Sequence, residues 1–166
     1  MPSSGKSTVG VLLAKRLGFS FIDVDIVIQE KEGRLLKEII ADEGMDGFLE
    51  VENRINAGLE AKMSVIAPGG SVIYGEEAMA HLKEISEIVY LKMSYEEMEK
   101  RIGNVVDRGV ALKPGFTLRA CTMSEFLIMR NMRISSSMKK EKNAGETVDE
   151  LRKYHRGAII HSTARP

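Results

Sequence analysis

The sequence predicts an α/β protein in which a parallel sheet lies between helices. Three observations lead there. Gly5-Lys6-Ser7 opens a helical pattern. Short apolar runs then alternate with amphipathic stretches, the order that builds parallel sheets. Carboxylates or glycines stand where those runs end, on the side where open parallel sheets take ligands.

The opening residues Met1-Pro2-Ser3-Ser4-Gly5-Lys6-Ser7-Thr8 read as the closing half of a phosphate-binding loop, G-x-x-x-x-G-K-[ST]. Backbone N–H groups of such a loop point at phosphate oxygens, and the next helix adds its positive N-terminal end. The lysine reaches the β- and γ-phosphates and the serine hydroxyl ligands Mg²⁺. The loop's first glycine would fall one place before Met1. A buried apolar strand of about five residues is expected upstream of it, central in the sheet.

The context fits the motif. Val9, Val11, Leu12, Leu13, Ala14 and Leu17 make an apolar stripe, interrupted by Lys15 and Arg16, and Gly18 stops it. Phe19 to Asp25 reads as a short strand whose Asp23 and Asp25 alternate onto one face near its end. Asp23 is expected near Mg²⁺ and Asp25 on a substrate hydroxyl; the simpler alternative is an N-cap for the next helix.

Ile26 to Lys31 reads as a helix ending at Gly33, and Leu35 to Ala41 as a further turn or two before Gly44. Phe48, Val51, Ile55, Leu59 and Ala61 mark a longer helix whose Glu50, Glu52 and Arg54 form a solvated face. Ser64 to Ala67 is a short buried strand. Pro68-Gly69-Gly70-Ser71 follows, either a close approach to a substrate or a plain turn. Glu76 to Ile85 reads as a helix and Glu87 to Lys92 as a strand. Ser94 with Glu97 caps a helix to about Ile102. The glycine-punctuated basic stretch 103–116 suggests a lid.

Composition narrows the class. The chain has 166 residues, 43% hydrophobic and 29% charged, with zero formal net charge. That length is expected to fold as one domain over 1–166. Nothing in the charge balance suggests a nucleic-acid or anionic-membrane partner, and none is expected. Cys121 is the one cysteine, so no intrachain disulfide forms. No apolar run is long enough to span a bilayer. The expectation is a cytoplasmic monomer acting on a small-molecule substrate.

Together these pieces resemble shikimate kinase. The match runs from Met1 to about Arg119 and resumes near Thr147. It rests on Gly-Lys-Ser-Thr, Phe-Ile-Asp-x-Asp, Gly44-x-x-x-Phe48-x-x-x-Glu52, the Gly-Gly turn after a strand, and a Val-Tyr-Leu strand before a lid arginine. The resemblance implies a five-stranded P-loop-type parallel sheet with the phosphate-loop strand, missing from this chain, at its centre. It implies transfer of the ATP γ-phosphate to the 3-hydroxyl of shikimate with Mg²⁺.

Carried over, Ser3, Ser4, Gly5, Lys6, Ser7 and Thr8 would bind nucleotide. Ser7 would ligand the metal, with Asp23 in its outer shell. Asp25 would take the acceptor hydroxyl, Gly69 and Gly70 would line the substrate pocket, and Arg108 would be the lid arginine.

The chain also departs from the pattern. Leu49 stands where the resemblance implies an arginine on the substrate carboxylate, and an apolar side chain cannot form that bidentate clamp. Ser71 stands for a third glycine, and the lid lacks an Arg-Pro-Leu-Leu wording. Residues 120–138 lack the expected Leu-Tyr-x-x-Arg-x-Pro-x-Tyr. Reading codons from the third base of the present ones permits that wording, which points to a compensated frameshift. Two further readings stay open: a kinase for another polyol or a nucleoside monophosphate, and a nucleotide-binding remnant without catalysis.

Overall fold

A computed structural model describes residues 5–92, 136–139 and 143–157. Ser3, Ser4, the expected helix after Ser94, the lid with Arg108, and the altered segment up to residue 135 lie outside the described residues. So does any strand upstream of the loop.

The element order is α1 (Lys6–Leu17), β1 (Ser20–Asp23), α2 (Val24–Glu32), α3 (Leu36–Ala57), β2 (Ser64–Ala67), a single 3-10 turn (Val72–Tyr74), α4 (Glu76–Ile85), β3 (Val89–Lys92), β4 (Ser136–Lys139) and α5 (Ala144–Gly157). The strands form two parallel pairs, β1 with β2 and β3 with β4. The predicted α/β class with parallel pairing and flanking helices is what the chain adopts. In the first pair Ser20 registers with Ser64 and Asp23 with Ala67. Both strands therefore end at the same level, and Asp23 and the Pro68–Ser71 turn leave from that end.

Helix α1 ends at Gly18 in the left-handed conformation (φ 72°). Lys15 and Arg16 sit in its last turn, where the helix dipole favours cations. Its predicted stripe is only partly a core face. Val9 and Ala14 are buried, whereas Val11 is 47% and Leu12 38% exposed. Val9 packs with Val148 and Leu151 of α5 and with Val89 and Leu91 of β3. Arg16 pairs with Asp149 of α5.

The strand expected over Phe19 to Asp25 is shorter. It stops at Asp23, and Asp25 already lies in the first turn of α2. The cause is local: Asp23 is the N-cap, and its Oδ1 accepts the Asp25 N–H at 3.2 Å.

Two predicted helices form one element, α3, bent at Gly44 (φ 73°, ψ −177°), a conformation open to glycine. Leu59 and Ala61, expected inside it, lie beyond its end at Ala57. Its apolar face, with Ile39, Phe48, Val51 and Ile55, packs on Val24 and Ile28 of α2 and on Ala78, Met79 and Leu82 of α4. Asn53 ties α3 to α4, its Oδ1 accepting the Ala78 N–H at 3.0 Å. The solvated face expected for α3 is overturned at Glu52, which is 1% exposed. It faces the inner side of the helix, one position from Val51, under the turn after β2.

Helix α5 carries a capping box. Asn143 Oδ1 accepts the Glu146 N–H at 2.9 Å, and Glu146 Oε2 accepts the Asn143 N–H at 2.9 Å.

Candidate active site

The site gathers at the shared end of β1 and β2. Gly5 caps α1 in the left-handed conformation (φ 81°), with no side chain bonded to the first turn. The first-turn N–H groups of a helix have no intrahelical acceptor. They carry the dipole's positive end, so this start of α1 suits an anion. Ser7 in that turn donates its hydroxyl hydrogen to Asp23 Oδ2 at 3.0 Å. The loop serine and the first strand's last carboxylate thus meet, as their places in the sequence predict. Both offer the hard oxygens that Mg²⁺ prefers, and Mg²⁺ is commonly held by few protein groups together with substrate phosphates. Among the described residues no cluster of three or more His, Cys, Asp or Glu could hold a metal alone.

Asp25 stands at the next layer, half-buried. Burial first, and Asp23 second, push its pKa above the usual carboxylate value, while Lys6 draws it down. A raised carboxylate is a better proton acceptor. Gly69 is buried across from it. A Cβ on Gly69 would lie 3.2 Å from Asp25 Oδ1 and 1.8 Å from Glu52 Oε1. Glycine is therefore required there by close approach, and the two carboxyl groups converge on one point beside the turn. Ser71 donates its hydroxyl hydrogen to Glu52 Oε2 at 2.6 Å.

Glu52 is the site residue that sequence reading missed. Burial, the first cause, lifts its pKa to about 7, and the Asp25 charge adds to the rise. The Ser71 hydrogen bond and Lys6 oppose it. The available signal was spacing: Phe48, Glu52 and Ile55 recur at helical intervals on one face.

Of the predicted site residues, Gly5, Lys6, Ser7, Asp23, Asp25 and Gly69 converge here. Thr8 is exposed on α1. Gly70 lies between Gly69 and Ser71 in the turn. Leu49 is half-buried on α3.

A helix headed by Gly-Lys-Ser, with its serine bonded to an aspartate at a parallel strand's end, defines a phosphate-binding-loop protein. Comparison with known proteins narrows the class. A family model described as shikimate kinase matches residues 2–154, and the chain belongs to the shikimate kinase family. A shikimate kinase from Chlorobium phaeovibrioides is 33% identical over 158 residues, covering 89% of this chain and 80% of that one. The crystal structure of shikimate kinase from Aquifex aeolicus superposes with a TM-score of 0.77 at 28% identity, covering 95% of this chain and 93% of the other. Shikimate kinase from Acinetobacter baumannii, in complex with shikimate, gives 0.78 at 24% identity, over 95% and 89%. That last likeness speaks for the fold.

Proposed function

We propose that the chain transfers the γ-phosphoryl group of ATP to the 3-hydroxyl of shikimate. The observation that carries this is the meeting of Ser7, Asp23 and Asp25 at the start of α1, with Gly69 facing them. Family membership supplies the chemical class.

In this reading the amides of Ser3, Ser4, Gly5 and Thr8 line the phosphates, and Lys6 holds the β- and γ-oxygens. Ser7 would ligand Mg²⁺, and Asp23, bonded to the Ser7 hydroxyl, would orient that ligand. When bound, the ion neutralises charge on the phosphates. Asp25 accepts the hydrogen bond of the acceptor hydroxyl and, with its raised pKa, takes that proton as the bond to phosphorus forms. Gly69 and Gly70 bring backbone close to the acceptor, and Arg108 closes from the lid. Positioning and charge neutralisation account for most of the rate. The acceptor is a small molecule, and the protein acts as a cytoplasmic monomer. Among the described residues no helix is long and apolar enough to cross a membrane.

The test is ADP release from ATP–Mg²⁺ with shikimate, compared with gluconate and nucleoside monophosphates. Shikimate is expected to be turned over fastest, and Lys6→Ala to abolish turnover with every acceptor. Wild-type rates in Lys6→Ala would remove the loop from the mechanism. A second reading, another polyol as acceptor, is favoured by Leu49 and by the two carboxyl groups at the turn; a faster rate with gluconate would select it.

A further inference from the structure

Glu52 is a buried acid with an unusual environment. Its Oε1 is buried and has no hydrogen-bond partner among the described residues. Its Oε2 accepts the Ser71 hydroxyl. Gly69 presses on Oε1, and Asp25 Oδ1 converges on the same point. An ionised carboxylate left with so few donors, beside a second carboxylate, is costly in a buried place. The uncharged acid fits the same place at lower cost.

We propose that Glu52 is a positioning residue of the acceptor site, acting through the Gly69–Ser71 turn and through Asp25. It works as the uncharged acid. In that form it seats the turn on α3 and adds no charge beside Asp25. Ionisation puts two negative charges against Gly69, and the turn and Asp25 move apart. An acceptor that carries a carboxylate meets a further repulsion there. The groups that face Glu52 set the balance. Asp25 from α2 resists ionisation. Ser71 after β2 and Lys6 from α1 favour it. On its own helix the Asn56 amide donates to the Glu52 backbone carbonyl at 2.8 Å, not to the acid. The midpoint lies close to pH 7, so acceptor affinity responds to pH within the ordinary working range. The effect on shikimate rests on the function proposed above; the coupling of Glu52 to the turn does not.

The test uses the full chain and has two arms. In the free protein, side-chain carboxyl carbons and backbone amides are followed by NMR from about pH 5 to about pH 9. One glutamate is expected to titrate near pH 7, with the Gly69, Gly70 and Ser71 amides moving at the same midpoint. Glu52→Gln removes both signals. Ser71→Ala, which deletes a donor that favours the ion, moves the midpoint upward. In the second arm shikimate is the probe acceptor. Its KM rises about tenfold per pH unit above the midpoint while kcat changes little. In Glu52→Gln the rise of KM with pH is lost.

A glutamate set that titrates only in the ordinary range overturns the proposal. So do turn amides indifferent to Glu52, or a Glu52→Gln protein with the wild-type KM profile. If Glu52→Gln does not fold, an unmoved midpoint in Ser71→Ala overturns it. Absence of shikimate turnover, with the free-protein titration as expected, rejects the shikimate reading and upholds the coupling of Glu52 to the turn.

Discussion

Ser71 donates its hydroxyl hydrogen to Glu52 Oε2 across 2.6 Å, fastening the turn after β2 to the inner face of α3. The acid that receives it is 1% exposed. Its pKa is raised from 4.5 to about 7, chiefly by burial.

That shift makes stability depend on pH. The folded state holds the Glu52 proton to a higher pH than the unfolded chain does. Stability from this group is therefore full below about pH 4.5, falls as pH rises, and levels off above about pH 7. The loss is on the order of 3 kcal/mol. Glu52→Gln cannot ionise, and its amide oxygen still accepts from Ser71. Urea denaturation at about pH 5 and about pH 8 is expected to show a smaller fall for the variant than for the wild type. Equal falls would place the cause elsewhere.

Gly69→Ala places a methyl 1.8 Å from Glu52 Oε1 and 3.0 Å from its Cδ. The acid has little room to yield, because it is held by Ser71 and enclosed. A cost of about 1–3 kcal/mol is expected. In a Glu52→Ala background the same methyl fills vacated space and costs less. A double-mutant cycle should give a coupling of at least about 0.5 kcal/mol; additive costs would mean that the methyl meets something else.

Asp23 has two tasks that substitution separates. Its Oδ1 caps α2 and its Oδ2 accepts from Ser7. Asn caps as well as Asp does, so Asp23→Asn should keep the melting temperature within a few degrees. Turnover should fall about 10- to 100-fold, as when a partner behind a metal ligand is lost. Asp23→Ala should lose about 1 kcal/mol of stability as well. A fully active Asp23→Asn would show that the carboxylate charge does nothing beyond capping.

Leu49 lies one helical turn before Glu52 on α3, at the i, i+3 spacing where side chains meet. Leu49→Arg puts a guanidinium where it can reach both Glu52 and an acceptor carboxylate. Shikimate KM should drop about tenfold or more, the worth of a charged hydrogen bond. The guanidinium should also favour the Glu52 anion and flatten the pH dependence of KM. An unchanged KM would mean that another residue already meets the carboxylate.

Much of this protein was legible in its sequence, because many of its signals are local. Gly18 and Gly33 end α1 and α2 since both adopt left-handed backbone. Ser64–Ala67 and Glu76–Ile85 were readable from apolar runs and periodicity alone. Gly5-Lys6-Ser7 announced an anion site, and Ser7 does meet Asp23. Asn143-x-x-Glu146 was equally readable as a capping box and was overlooked.

What tertiary structure decided were the facts that depend on neighbours distant in sequence. Glu52 reads as solvated because charged residues on helices usually are. Its burial follows from β2 pairing with β1, which lays Gly69 and Ser71 over α3. Whether its carboxyl is charged is set by how much water that turn excludes and by the Asp25 charge beside it, and neither is written in the residues around position 52.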